Sequence, residues 1–212
     1  MPDLHNIFLF VAASWALIIT PGPDMLYVIT CGISQGRKAG LLSATGISLG
    51  VIVHTFAAAF GLAILLKTSV VAFMVVKYVG AAYLIYLGVR ALVAKDHFGL
   101  DQQSSNTQSA DNLFWKGVLT NVLNPKVALF FLAFLPQFVN PNGGNIILQM
   151  IVLGLIFIAF GAAFLCPVGY FAGHIGSWLR RKPWIARRFK WVTSSVFIGL
   201  GVHLFFLERR SF

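Results

Sequence analysis

Six long apolar runs set what this chain can fold into. They extend from about Leu4 to Ile33, Gly40 to Leu66, Ser69 to Val93, Phe114 to Phe138, Ile146 to Ala172 and Trp191 to Leu207. Several approach or exceed the roughly 20 apolar residues that cross a bilayer as a helix. Charged residues make up only 10% of the chain, against about 25% in an ordinary soluble domain. The expectation is an all-α, polytopic membrane protein.

The first run carries a second constraint, because Thr20-Pro21-Gly22-Pro23-Asp24 falls inside it. Its two prolines remove two backbone donors and hold φ at about −65°. The residue before each proline is pushed out of the α region, so the helix is expected to break here. Gly22 gives the break freedom, and Asp24 places a carboxylate in apolar sequence. The fourth run holds a comparable point, Asn124-Pro125-Lys126.

A net charge of +10 would point to nucleic acid in a soluble protein. In a membrane protein it points to basic cytoplasmic loops facing anionic lipid, and no nucleic-acid partner is expected. The loops after the first, third and fifth runs hold eleven Lys and Arg residues, among them Arg37, Lys38 and the six from Arg180 to Lys190; the opposite side holds Lys67, Arg209 and Arg210. The positive-inside rule therefore turns both termini away from the cytoplasm, although the C-terminal arginine pair opposes that sense. The N-terminus has Asp3 rather than a basic region, and its apolar run leads into the proline break, so the first helix is expected to be retained. Cys31 and Cys166 lie far apart without a CxxC pattern and read as small apolar helix residues, with a redox pair as the rival.

The polar stretch from Asp96 to Asn112 is too poor in apolar residues to fold alone and reads as a flexible linker. It divides the chain into residues 1–95, a linker over 96–112, and 113–212. The two outer parts correspond. Lys77-Tyr78-Val79-Gly80 through Gly88-Val89-Arg90 aligns with Lys190-Trp191-Val192-Thr193 through Gly201-Val202-His203, and Pro23 has its counterpart in Pro125. Three spans are an odd number, so two such halves enter the membrane from opposite sides. The expected architecture is six transmembrane helices as two inverted three-helix repeats, with helices 1 and 4 broken. In secondary transporters broken helices of this kind place the site at the repeat interface.

Each break reads as a helix restarting. Gly22 or Asn124 caps, Pro23 or Pro125 opens, and Asp24 or Lys126 follows, as favoured at helix starts. A carboxylate in the first turn is stabilised by about 0.3–1 kcal/mol, so capping alone could account for Asp24. A cation there opposes the dipole, and taking lysine to mid-membrane depth costs about 2.5–3.5 kcal/mol. A salt bridge to Asp24, a water-filled cavity or an anionic substrate group would offset this; at the interface Lys126 would instead snorkel to water. Opposite charges at equivalent positions suit a zwitterion, Lys126 and free N–H groups of the restarted helix holding a carboxylate and Asp24 an ammonium group or a proton. Thr20, Asn121 and Asn124 either satisfy exposed backbone or line the site. Gly32, Gly36, Gly40, Gly46 and Gly50 place small residues at helical spacing for close packing, which would permit a homodimer. His54, four residues past Gly50, shares that face as a structural or proton-carrying histidine.

Taken in order, Thr20-Pro21-Gly22-Pro23, the glycine series, Lys77-Tyr78-Val79-Gly80-Ala81-Ala82-Tyr83-Leu84, Phe114-Trp115-Lys116-Gly117, Asn124-Pro125-Lys126 and Phe131-Leu132-Ala133-Phe134-Leu135-Pro136-Gln137-Phe138 make the chain similar to the LysE/RhtB family of amino-acid exporters, near its homoserine, threonine and leucine efflux branch. The resemblance implies a multi-pass exporter in the bacterial cytoplasmic (inner) membrane, driven by the proton gradient and needing no cofactor or metal. The rivals are a thiol–disulfide electron carrier using Cys31 and Cys166, and a membrane-embedded enzyme built on Asp24, His54, His203 and Lys126. No HExxH, carboxylate pair or Ser-His-Asp set supports the enzyme.

Overall fold

In the computed structural model, residues 4–62, 70–93, 108–140, 143–181 and 183–206 are described, and every regular element among them is helical. Lys67, the expected linker over residues 96–107, and the arginines at 209 and 210 lie outside the described residues.

The first break falls where proline chemistry puts it. Helix α1 (Leu4–Ile19) ends before Pro21, and α2 (Pro23–Gln35) begins with Pro23 at its first position after the extended Gly22 cap. Their axes diverge by 50°. Gly36 then turns the chain at φ 82°, in the region that glycine enters without a Cβ penalty. Helix α3 (Arg37–Phe56) follows and loosens into a π-helical turn over Ala57–Leu62. Helix α4 spans Val70–Val93.

Helix α5 (Ala110–Val122) begins earlier than the polar composition of its first turn suggests. Ser109 Oγ accepts from the Asn112 amide at 3.3 Å, and Asp111 in the first turn favours the dipole. The last residues of the expected linker therefore belong to this helix. The second break follows. Asn124 Oδ1 accepts from the Lys126 amide at 3.0 Å, and α6 (Pro125–Leu129) restarts at 46° to α5. It continues as a π turn over Phe130–Phe134 and a 3-10 turn over Leu135–Phe138. Helix α7 (Ile146–Tyr170) is capped by Asn145. The basic stretch expected as a loop is helical on both sides of Lys182, in α8 (Ala172–Arg181) and the start of α9 (Pro183–Phe206).

Three helices among the described residues are long and apolar enough to cross a membrane, within 37–61, 74–93 and 146–170; counting each bent pair as one span gives five. The apolar part of α9, Trp191–Phe206, is shorter.

Helices from the first and second parts of the chain meet antiparallel. Phe10 of α1 packs its ring against Phe130 and Phe138, at 5.8 and 5.4 Å between centroids. Helices α3 and α7 cross at paired glycines: a Cβ on Gly40 would sit 2.3 Å from the Gly169 carbonyl oxygen, and one on Gly169 would sit 2.5 Å from that of Gly40. Helices α4 and α9 exchange equivalent contacts. A Cβ on Gly88 would meet Ile198 and the Ser194 carbonyl, whereas one on Gly201 would meet Ile85 and the Ala81 carbonyl.

Candidate functional site

Both breaks leave the last carbonyls of a helix without intrahelical donors, and each is closed by a cationic or cation-forming side chain from elsewhere. Lys126 Nζ donates to the carbonyls of Leu17 at 3.1 Å and Thr20 at 2.9 Å, at the end of α1. Its ammonium passes so close to Gly22 that a Cβ there would lie 3.2 Å from Nζ. At the end of α5, His54 Nε2 donates to the Asn121 carbonyl at 2.9 Å, an oxygen that also accepts from the Asn124 amide. The glycine face of α3 makes this possible: a Cβ on Gly50 would come within 2.8 Å of the Asn121 Cβ.

Asp24 is held in the opposite sense. Its Oδ2 accepts from Asn121 Nδ2 at 2.9 Å. Its Oδ1 is buried and has no hydrogen-bond partner among the described residues, and the same holds for Asn121 Oδ1 and Asn124 Nδ2. Asp24 is 8% exposed and Lys126 7%, so both charges lie inside the helix bundle. The mutual ion pair weighed from the sequence is absent among the described contacts. Lys126 is instead directed to main-chain carbonyls, at the negative end of the α1 dipole.

Asp24, Asn121 and Lys126 line one cavity with an open mouth. Its remaining wall is apolar but for Ser48, with Leu17, Ile18, Met25, Ile47, Val51 and Phe157 among its members. Pocket walls of this kind, apolar with a few placed polar groups, are the usual form of small-molecule sites.

The sequence-derived residues thus divide. Thr20 turns its hydroxyl back onto the Ala16 carbonyl at 2.7 Å and contributes its own carbonyl to Lys126. Pro21, Gly22, Pro23, Asn124 and Pro125 shape the two breaks and do not line the cavity; His54 stands behind Asn121. The Lys126 amide, proposed as free for a carboxylate, is taken by Asn124. His203 packs near the Phe134 ring, away from the cavity. Cys31 and Cys166 are free thiols in separate apolar clusters. Ser48 and the apolar wall were not read from the sequence; the four-residue spacing of Phe157, Gly161 and Leu165 was the available signal.

Residues 15–207 match the LysE type translocator family. The chain belongs to that family. Among relatives of this LysE type translocator is the uncharacterized membrane protein YrhP of Bacillus subtilis, 32% identical over 94% of this chain and 98% of its own length. The uncharacterized membrane protein PA4757 of Pseudomonas aeruginosa is 32% identical over 96% of this chain and 97% of its own length. The leucine efflux protein of an Enterobacter species is 26% identical over 94% of each chain. No solved structure matches the chain. With its apolar helices, this membership makes the protein a multi-pass membrane translocator.

Proposed function

We propose that this LysE type translocator exports small amino acids across the bacterial cytoplasmic membrane, coupled to the proton gradient. Six spans form two inverted three-helix halves, residues 1–95 and 113–212, and the site lies between their breaks. The observation that carries this reading is the placement of Asp24 and Lys126 in one cavity, with one oxygen of the carboxylate unpartnered. A buried charge that lacks partners costs several kcal/mol, and an ammonium group or a proton would relieve Asp24. The ammonium of Lys126, which lines the cavity while holding two carbonyls, suits a substrate carboxylate. The reciprocal contacts of α4 and α9 and the antiparallel meeting of each counterpart pair support the inverted repeat. The family and the name of the Enterobacter relative support amino acids as cargo.

The bond from His54 to a main-chain carbonyl favours a positioning role for it, and leaves Asp24 as the group facing the cavity. The reading is tested by efflux of labelled amino acids from preloaded proteoliposomes under an imposed pH gradient. Accumulation outside that collapses with the gradient is expected; a panel in which nothing moves would overturn it.

A further inference from the structure

Gly161 is a helix-interior glycine that packing does not explain. Glycine inside a helix is disfavoured relative to alanine, because it loses more backbone freedom on folding. At many other glycines the reason is contact: Cβ atoms on Gly32, Gly40, Gly46, Gly50, Gly117, Gly154 or Gly169 would come within 3 Å of a neighbouring helix, whereas Gly61, Gly173 and Gly199, which meet nothing, are exposed. Gly161 is buried in α7, yet a Cβ on it would meet nothing within 4 Å. The open space it faces is the cavity, since Phe157, Gly161 and Leu165 line it together. Residues four apart share one helix face, so Gly161 is the low point of a wall whose other two members are large and apolar. The polar groups of the same cavity are Asp24, Ser48, Asn121 and Lys126, from α2, α3, α5 and α6.

Resting on the exporter reading, we infer that Gly161 sets the size of the substrate side chain. The charged groups of an amino acid engage Asp24 and Lys126, and its apolar side chain occupies the space that the missing Cβ leaves between Phe157 and Leu165. The cargo class is then amino acids with an apolar side chain, whose permitted size is set at residue 161. A methyl group added at residue 161 removes room from that end without touching the charged end.

The test is competitive efflux of leucine and alanine from proteoliposomes carrying wild type, Gly161→Ala or Gly161→Val. One methylene of misfit in an apolar pocket is worth about 10–200-fold in discrimination. The leucine-to-alanine export ratio is therefore expected to fall about tenfold or more in Gly161→Ala and further in Gly161→Val. Gly154→Ala, whose Cβ would strike Thr55, should reduce folded yield and leave the ratio alone. An unchanged ratio in an active Gly161→Val protein overturns the inference. So does a Gly161→Ala protein that fails to fold, because the open space is its premise. A wild type that exports no amino acid would instead overturn the exporter reading beneath it.

Discussion

Lys126 Nζ donates to the Thr20 carbonyl at 2.9 Å, so the cation that opens one broken segment closes the end of the other. Asn121, at the end of the second half's first helix, in turn holds Asp24 at the restart of the first. The two breaks are cross-linked in both directions, and neither can rearrange without releasing the other. In a translocator that is where a ligand competing for the same groups would act.

Lys126→Met removes the donor from Leu17 and Thr20 while keeping the aliphatic stem. A buried carbonyl left unpaired costs about 1–3 kcal/mol, and Asp24 loses the nearest cation. The expected outcome is a lower unfolding midpoint in detergent together with loss of export. A variant as stable as wild type would mean that the α1 carbonyls find other partners. Gly22→Ala should act in the same direction but more weakly, since the ammonium needs to move only a few tenths of an ångström from a Cβ at 3.2 Å.

Asp24→Asn preserves shape and keeps an oxygen for Asn121. Folded yield and detergent stability should stay near wild type, whereas export should fall at least tenfold and lose its response to an imposed pH gradient. Export with unchanged pH dependence would remove Asp24 from the mechanism.

His54→Gln retains a side-chain N–H for the Asn121 carbonyl, and His54→Leu does not. If His54 positions α5, glutamine should restore most of the activity and stability that leucine loses, with the pH profile of export unaltered in both active proteins. A shifted profile in His54→Gln would make the imidazole a proton carrier.

The places where this architecture is legible in the sequence are those whose chemistry is local. Pro23 and Pro125 break a helix wherever they stand, and Gly22 and Asn124 cap the restarts as their own backbone and side chain dictate. Gly32, Gly40, Gly46 and Gly50 also announce close packing, whereas Gly36 of the same series is the turn between α2 and α3 and packs against nothing. The partner of Lys126 is not legible in the same way. Main-chain carbonyls carry no side-chain signature, so a lysine against the dipole of its own helix has no local explanation; the end of α1 beside it supplies one. The two charges therefore exchange the roles that their helix positions suggest: Lys126 has two structural bonds, and Asp24 keeps the unpartnered oxygen. The apolar wall is equally silent, since Ile47, Phe157 and Leu165 look like any other membrane-helix residues until α3 and α7 meet beside the breaks.

Gly40 and Gly169 should be intolerant sites in the α3–α7 crossing. Each Cβ would press on the other's carbonyl oxygen, and backbone cannot move aside as a side-chain end can. Overpacking of this kind costs about 1–3 kcal/mol or more. Alanine at either residue is expected to reduce folded yield, while Gly173→Ala, which meets nothing within 4 Å, should be neutral. Equal tolerance at all three would contradict the crossing.

An inverted repeat fixes which ends of the helices share a side of the membrane. Single cysteines at Gln35, Ser109 and Gly173, in a protein with Cys31 and Cys166 replaced by serine, should all react with an impermeant thiol reagent from one face. A cysteine at Asn145 should react only from the other, because α7 crosses between it and Gly173. The excess of basic residues beside the first group places that face in the cytoplasm. Reaction of Ser109→Cys and Asn145→Cys from the same side would require the bent segment from Ala110 to Phe138 to enter and leave by one face. It would then be a re-entrant loop, the two halves would no longer be related by inversion, and the reciprocal contacts of Gly88 and Gly201 would need another origin.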